Sequence, residues 1–171
     1  FEKGSFDHLI FADVLEHLKD PWKVLSAAVS LLKDDGTVLT SIPNVGYMGV
    51  IFDLMEGNFK YKNVGLMDRT HLRFFTRNSI EEMLSGSSLV PVKVLFSTAV
   101  SEQDRIKKAF LPADVSKYFS SQPDTIVNQF IHVSRKRSSS LPSSESMNAI
   151  PELGQYFVTK LYFDDGSGFA D

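Results

Sequence analysis

An α/β fold with a largely parallel sheet is what this sequence predicts, on three observations. The run Phe6 to Ala12 (FDHLIFA) becomes uninterruptedly apolar at Leu9, Ile10 and Phe11, the pattern of a strand buried on both faces of a parallel sheet. Trp22, Leu25, Ala28, Val29 and Leu32 then recur at helical spacing. A second β-rich run, Thr37 to Ile42 (TVLTSI), stops at Pro43 and Asn44. Strand, helix and strand joined by short connections fit a right-handed βαβ crossover, with the first run as a central strand.

Each element carries its own boundary signals. Asp20 ahead of Pro21 is an N-cap followed by a proline at the first helical position, and the helix closes around Lys33 to Gly36. Tyr47 to Glu56 reads as a second helix ending at Gly57, after which residues 58–75 are polar and aromatic without a clear period. Thr76 caps a helix that carries Ile80, Met83 and Leu84, with Gly86 as its left-handed stop. Leu89 to Phe96 is a third strand, which Pro91 assigns to an edge or an early position. Ser101 opens a helical stretch to Leu111, a weaker amphipathic segment runs from Pro112 to Phe119, and Thr125 to Ser134 is a fourth strand. The basic triplet Arg135, Lys136 and Arg137 leads into SSSLPSSES, the composition of a flexible linker. Beyond it, Gln155 to Phe163 reads as one more strand before the turn signal Asp164-Asp165-Gly166.

Composition narrows the function classes. With 43% hydrophobic and 23% charged residues and a net charge of −3, the 171-residue chain has the balance of a soluble globular protein and no global attraction to nucleic acid or anionic membrane. No apolar run approaches the roughly 18 residues of a spanning helix, and no signal-peptide pattern opens the chain. A cytoplasmic protein with neither membrane nor nucleic-acid partner is expected. The absence of cysteine excludes disulfides, thiolate zinc sites and a cysteine nucleophile, leaving His, Asp and Glu as metal ligands. Of the four histidines, His8 and His132 lie inside strands and read as structural, whereas His17 and His71 do not. Trp22 reads as core, and Tyr47, Phe52, Phe59 and Tyr61 as packing or as pocket walls. The chain starts at Phe1 without an initiator Met and enters a strand almost at once, as expected of a start inside a domain.

Ligands of open α/β sheets bind at the carboxyl ends of the strands, so the residues after Phe11 and Ile42 are the ones to inspect. After the first comes Ala12-Asp13-Val14-Leu15-Glu16-His17-Leu18, and after the second Pro43-Asn44. Asp13, Glu16 and His17 place two carboxylates and an imidazole on one side of a helical turn.

The string FDHLIFADVLEHLKDPWKVLSAAVSLLKDDGTVLTSIPN resembles the second half of class I S-adenosylmethionine-dependent methyltransferases, and DRTHLRFFTRNSI at 68–80 resembles the segment that family carries between its fifth and sixth strands. The resemblance implies a Rossmann-like methyltransferase sheet cut at the N-terminus. Residues 1–137 would be the C-terminal part of the domain without strands one to three, 138–150 a Ser-rich linker, and 151–171 the start of a further β-rich module. The missing N-terminal half of the domain is then an expected partner. The tail FVTKLYFDDGSGFAD resembles the opening of β-sandwich modules in bacterial polysaccharide-assembly proteins.

By the same resemblance, Phe11, Ala12 and Asp13 lie against the methionine portion of S-adenosylmethionine, and residues 43–75 cover the substrate. Ubiquinone-pathway and small-RNA 3′-end methyltransferases carry an acidic-x-x-Glu-His turn at this place. That implies Asp13, Glu16, His17 and His71 as ligands of a divalent cation such as Mg²⁺ that positions substrate hydroxyls. The alternative is that Glu16 and His17 complete a helix N-terminus. His71, with His17, could act as a catalytic base; alternatively, Asp68, Arg69 and Arg73 around His71 form an ion-pair network that orders a lid. Arg69 or Arg73 could also bind an anionic group. The function implied is methyl transfer to a hydroxyl oxygen of a small-molecule or glycan acceptor. A non-catalytic binding or scaffold module in a multidomain glycan-assembly protein is the alternative.

Overall fold

The computed structural model describes residues 1–137; the expected serine-rich linker and the expected strand, turn and further module after it lie outside the described residues. Strand β1 is Phe6–Ala12, helix α1 Pro21–Val29, strand β2 Leu32–Pro43, helix α2 Met48–Met55, helix α3 Arg77–Gly86, strand β3 Leu89–Thr98, helix α4 Glu102–Ala109, helix α5 Ala113–Ser121 and strand β4 Val127–Lys136. Short 3-10 turns occupy Leu15–His17 and Pro123–Ile126. The sheet order is β1-β2-β4-β3, with β1 parallel to β2 and β4 antiparallel to both of its neighbours. Among the described residues no helix is long and apolar enough to cross a membrane.

Helix α1 starts as its signals dictate: the Asp20 carboxylate accepts from Lys23 N at 3.0 Å, and Pro21 sits in the first turn. Its end differs from the expectation. Leu32 already belongs to β2, and the register jumps from Phe6↔Leu32 to His8↔Thr37, so residues 33–35 bulge outward. Lys33 Nζ reaches back to Asp7 at 2.7 Å across that bulge. Gly36 closes it because a Cβ there would lie 2.7 Å from Leu32 and 2.9 Å from Asp7 O.

Helix α2 stops at Gly57, whose φ of 75° is the left-handed conformation expected there. Gly86, by contrast, remains helical, and the left-handed residue is Ser88 with φ 58°. The chain can turn there because Ser88 O accepts from Arg137 N at 2.8 Å, which ties the reversal to the end of β4. Strand β3 is an edge, as Pro91 implied, and its register shifts between Pro91 and Lys93.

Alternation along the strands sends Val38 and Ile42 of β2 and Phe130 of β4 to one face, where Leu25 and Val29 of α1 and Ile80, Met83 and Leu84 of α3 pack on them. Trp22 is an exception to the expected helix core: it is 46% exposed and its ring is tilted at 48° to that of Phe75, centroids 6.0 Å apart. A second cluster, Tyr47, Met48, Val50, Phe52, Met67 and Phe119, joins α2 to α5 and to the segment before α3. Tyr47 and Phe52 therefore pack rather than line a cleft. Burial and a 2.7 Å hydrogen bond to the Asp104 carboxylate push the Tyr47 hydroxyl up to about 12.

Among the described residues strand β1 is the other edge, as expected of the family sheet without its strands one to three, and not the central strand buried on both faces that its apolar run alone suggests. Leu9 and Phe11 pack toward the main core, while Ile10 points to the opposite face and is 68% exposed. Among the described residues no helix covers that face beside Ile10.

Candidate active site

The site forms where β1 ends. Asp13 follows the strand in a left-handed conformation, φ 52°, which aspartate tolerates better than most residues, and its N–H donates to Ser41 O of β2 at 3.1 Å. That turn delivers Leu15 to the core and starts the 3-10 turn that carries Glu16 and His17. Glu16 is 1% exposed. Its main-chain carbonyl accepts from Leu72 N at 2.8 Å and Arg73 N at 3.0 Å, and these bonds clip the distant segment 68–75 against the turn.

The clip brings His71 beside His17, with ring centroids 4.8 Å apart in an edge-on arrangement. The ligand atoms of Glu16, His17 and His71 all lie within 4.8 Å of one another. Both imidazoles are oriented the same way: His17 Nδ1 lies 3.1 Å from Thr70 O, and His71 Nδ1 lies 3.1 Å from Leu66 O. A carbonyl only accepts, so each Nδ1 carries the proton and each Nε2 presents a lone pair. Burial lowers the His71 pKa below its ordinary value, aided by the positive field of His17 and opposed by the Leu66 carbonyl, Asp68 and Asp13; His71 is therefore neutral at pH 7.

Three of the four expected ligands thus come together. Asp13 does not join them; its carboxylate instead accepts from Gln129 Nε2 at 2.5 Å, and the same amide donates to Ser41 Oγ at 2.7 Å. Phe11 is half-buried and Ala12 buried at the strand end, next to Asp13. The expected ion-pair network around His71 is absent among the described residues. Burial opposes ionisation of Asp68, but hydrogen bonds from Thr70 N and Oγ1 prevail and hold its carboxyl below the usual range. Arg73 donates to Leu72 O and Lys19 O, so it braces the turn rather than facing a ligand.

Beside His71 an open cavity of about 480 Å³ is lined by Tyr61, Arg69, His71, Leu72 and Phe74. Sequence reading missed Gln129 and Phe74. Gln129 reaches Asp13 only because β4 runs antiparallel beside β2 with Pro43 opposite Gln129, a register that no local signal encodes. Of the two histidines treated as structural, His8 makes a 2.7 Å hydrogen bond with Thr37 Oγ1, and His132 is fully buried 3.9 Å from Glu81 Oε1.

A parallel β1-α1-β2 unit, an antiparallel β4 inserted between β2 and the edge strand, and a polar site at the end of β1 define an α/β domain of the methyltransferase class. The family model described as "Methyltransferase domain" matches residues 1–94, and the chain belongs to that family. Solved structures share the fold. A Bacillus halodurans protein provisionally named a methyltransferase is 14% identical with a TM-score of 0.51, covering 81% of this chain and 67% of that one. A Thermotoga maritima SAM-dependent methyltransferase is 15% identical with a TM-score of 0.50, covering 81% and 59%. An Archaeoglobus fulgidus SAM-dependent methyltransferase is 13% identical with a TM-score of 0.48, covering 78% of this chain and 61% of that one. The chain thus spans about three-fifths of the length of that protein. No curated protein matches the chain.

Proposed function

We propose that this chain forms the acceptor side of an S-adenosylmethionine-dependent methyltransferase that methylates a hydroxyl oxygen of a small-molecule or glycan acceptor. The observation that carries the reading is the clipping of His71 onto the Glu16-His17 turn at the carboxyl end of β1, beside an open cavity. Bound S-adenosylmethionine supplies an electrophilic methyl group. The residues present fit its amino-acid portion: a carboxylate at Asp13, held by Gln129, suits an ammonium group, with Phe11 and Ala12 beside it. His71 Nε2, neutral and with its lone pair free for the cavity, removes the acceptor hydroxyl proton as the methyl group arrives. Orientation of the acceptor by the cavity walls supplies the rest, since methyl transfer is an in-line displacement.

As an alternative to the base, since His71 Nε2 cannot both accept a proton and bind a metal, Glu16, His17 and His71 would hold a divalent cation that orients the acceptor's oxygens. One carboxylate and two imidazoles, each imidazole fixed by a carbonyl behind it, suit Mn²⁺, Fe²⁺ or Zn²⁺ better than the all-oxygen preference of Mg²⁺.

The test, made on the complete protein because this chain alone is expected to be inactive, pairs calorimetric titration of S-adenosylmethionine with transfer from a radiolabelled methyl donor to a panel of hydroxylated acceptors. His71→Ala should lower turnover by about 10²-fold or more while leaving cofactor affinity unchanged. Absence of cofactor binding, or full turnover in His71→Ala, overturns the reading.

A further inference from the structure

The cavity beside His71 has a chemical bias of its own. Its walls are largely aromatic, and the rings continue outward: Phe59 meets Tyr61 at 5.5 Å and Phe74 at 6.3 Å, and Phe74 lies 6.4 Å from His71. Set among them is one permanent charge, Arg69. Its main chain is fixed by a 2.9 Å bond from Arg69 N to Lys62 O, while among the described residues its guanidinium has no hydrogen-bond or ion-pair partner.

Lys60 and Lys62 flank Tyr61 in sequence but do not line the cavity, and of the charged groups on the segment 68–73 two are engaged elsewhere. Asp68 is held by Thr70, and Arg73 is spent on two carbonyls. Across the fold, Arg77 is paired with Glu81 and Asp124, and Lys107 with Asp53 and Glu56. A lone surface arginine is ordinary, but this one shares a cavity with the proposed base. A guanidinium offers a planar fork of donors that matches a carboxylate or phosphate, and flat rings around it suit a planar body.

We infer that Arg69 is a specificity-determining residue: it selects acceptors in which a planar, apolar body carries a carboxylate or phosphate. The inference rests on the acceptor reading of this cavity and narrows it away from neutral glycans.

The experiment titrates benzoate, phenyl phosphate and neutral benzamide into the full chain and follows the His71 ring C–H resonances by NMR. Benzoate and phenyl phosphate should bind about tenfold more tightly than benzamide, the scale of one charge-assisted contact. The ratio between the two anions tells a carboxylate site from a phosphate site. Arg69→Ala should erase the preference, Arg69→Lys should keep part of it, and Arg105→Ala on exposed α4 should leave it intact. Benzamide binding as tightly as benzoate, or a preference that survives Arg69→Ala, overturns the inference. These probes require no methyl donor. An Arg69-dependent preference in a protein that binds no S-adenosylmethionine would support the anion site while refuting methyl transfer, and the converse result would refute only the anion site.

Discussion

Asn44 is where the sheet meets the segment that leads to the proposed acceptor side, and its replacement by alanine has a cost that follows from counted bonds. The side chain is 1% exposed. Its amide nitrogen donates to Asp124 O at 3.0 Å and Val127 O at 2.9 Å, and its oxygen accepts from Gly46 N at 2.9 Å. Alanine abolishes all three inside the protein, and at about 1 kcal/mol per bond the loss is about 3 kcal/mol. For a chain of this size that corresponds to a fall in Tm of about 10 °C. Asn44→Asp discriminates further. It keeps the acceptor for Gly46 N but sets a carboxylate against two carbonyls, so it should be at least as harmful as alanine and worse at neutral pH than at acid pH. Urea unfolding followed by fluorescence of Trp22, the one tryptophan, reads the change at a site that packs near Phe75. Asn78→Ala, on the exposed side of α3, should stay within about 0.5 kcal/mol of the parent. A loss below about 1 kcal/mol for Asn44→Ala, or an Asn44→Asp variant as stable as the parent, would refute the reasoning.

Three further outcomes are expected. His132 is fully buried, neither ring nitrogen has a hydrogen-bond partner among the described residues, and burial lowers its pKa, with Arg77 adding to the shift and Glu81 opposing it. The unfolded chain therefore binds more protons near pH 6, so stability should be complete above the ordinary histidine value of about 6.5 and fall as pH drops below it. His132→Gln should flatten that slope in urea titrations at pH 5 to 7.5, and an unchanged slope would remove His132 as a source. Added Co²⁺ should produce visible absorption bands that Glu16→Gln weakens, and a spectrum identical to aqueous Co²⁺ would refute cation binding by Glu16, His17 and His71. Ile10 lies on the unpaired edge strand, 68% exposed, in a row that continues through Leu39. The chain should self-associate with rising concentration in sedimentation experiments, Ile10→Lys should suppress this, and a monomer at all concentrations would contradict it.

Elements whose cause is local were legible in the sequence. Asp20-Pro21 starts α1, Gly57 ends α2, and Pro91 marks an edge, because each acts through its own backbone. What depends on distant partners was not. The run around Ile10 reads as a strand buried on both faces, yet such burial needs partners distant in sequence, and among the described residues β1 pairs only with β2. Leu32 continues the helical spacing of α1 but is captured by Phe6 in the sheet. The site divides the same way. Glu16 and His17 are adjacent on one turn, so the sequence displays them together, and the family resemblance added His71. Asp13 is equally close in sequence but is drawn off by Gln129, a partner set by the register of β4.

The geometry also explains how residues so far apart in sequence act as one group. His17 Nε2 lies 4.0 Å from Glu16 Oε1 and its ring meets that of His71, while the Nδ1 of each ring is fixed by a carbonyl of the segment 66–70, which runs on into the residues held by the carbonyl of Glu16. The dependence runs in a loop. The turn at 15–17 anchors the segment through Leu72 N and Arg73 N, and the segment in return sets the tautomer and direction of the imidazole on the turn. Arg73 reinforces the loop by reaching Lys19 O just past the turn. Leu72 joins the clip through its main chain, while its side chain is 46% exposed and lines the cavity. The cavity wall around His71 is made of side chains at 61, 69, 72 and 74. The position of His71, the proposed base, is thus encoded largely in backbone hydrogen bonds and the proposed acceptor choice in side chains.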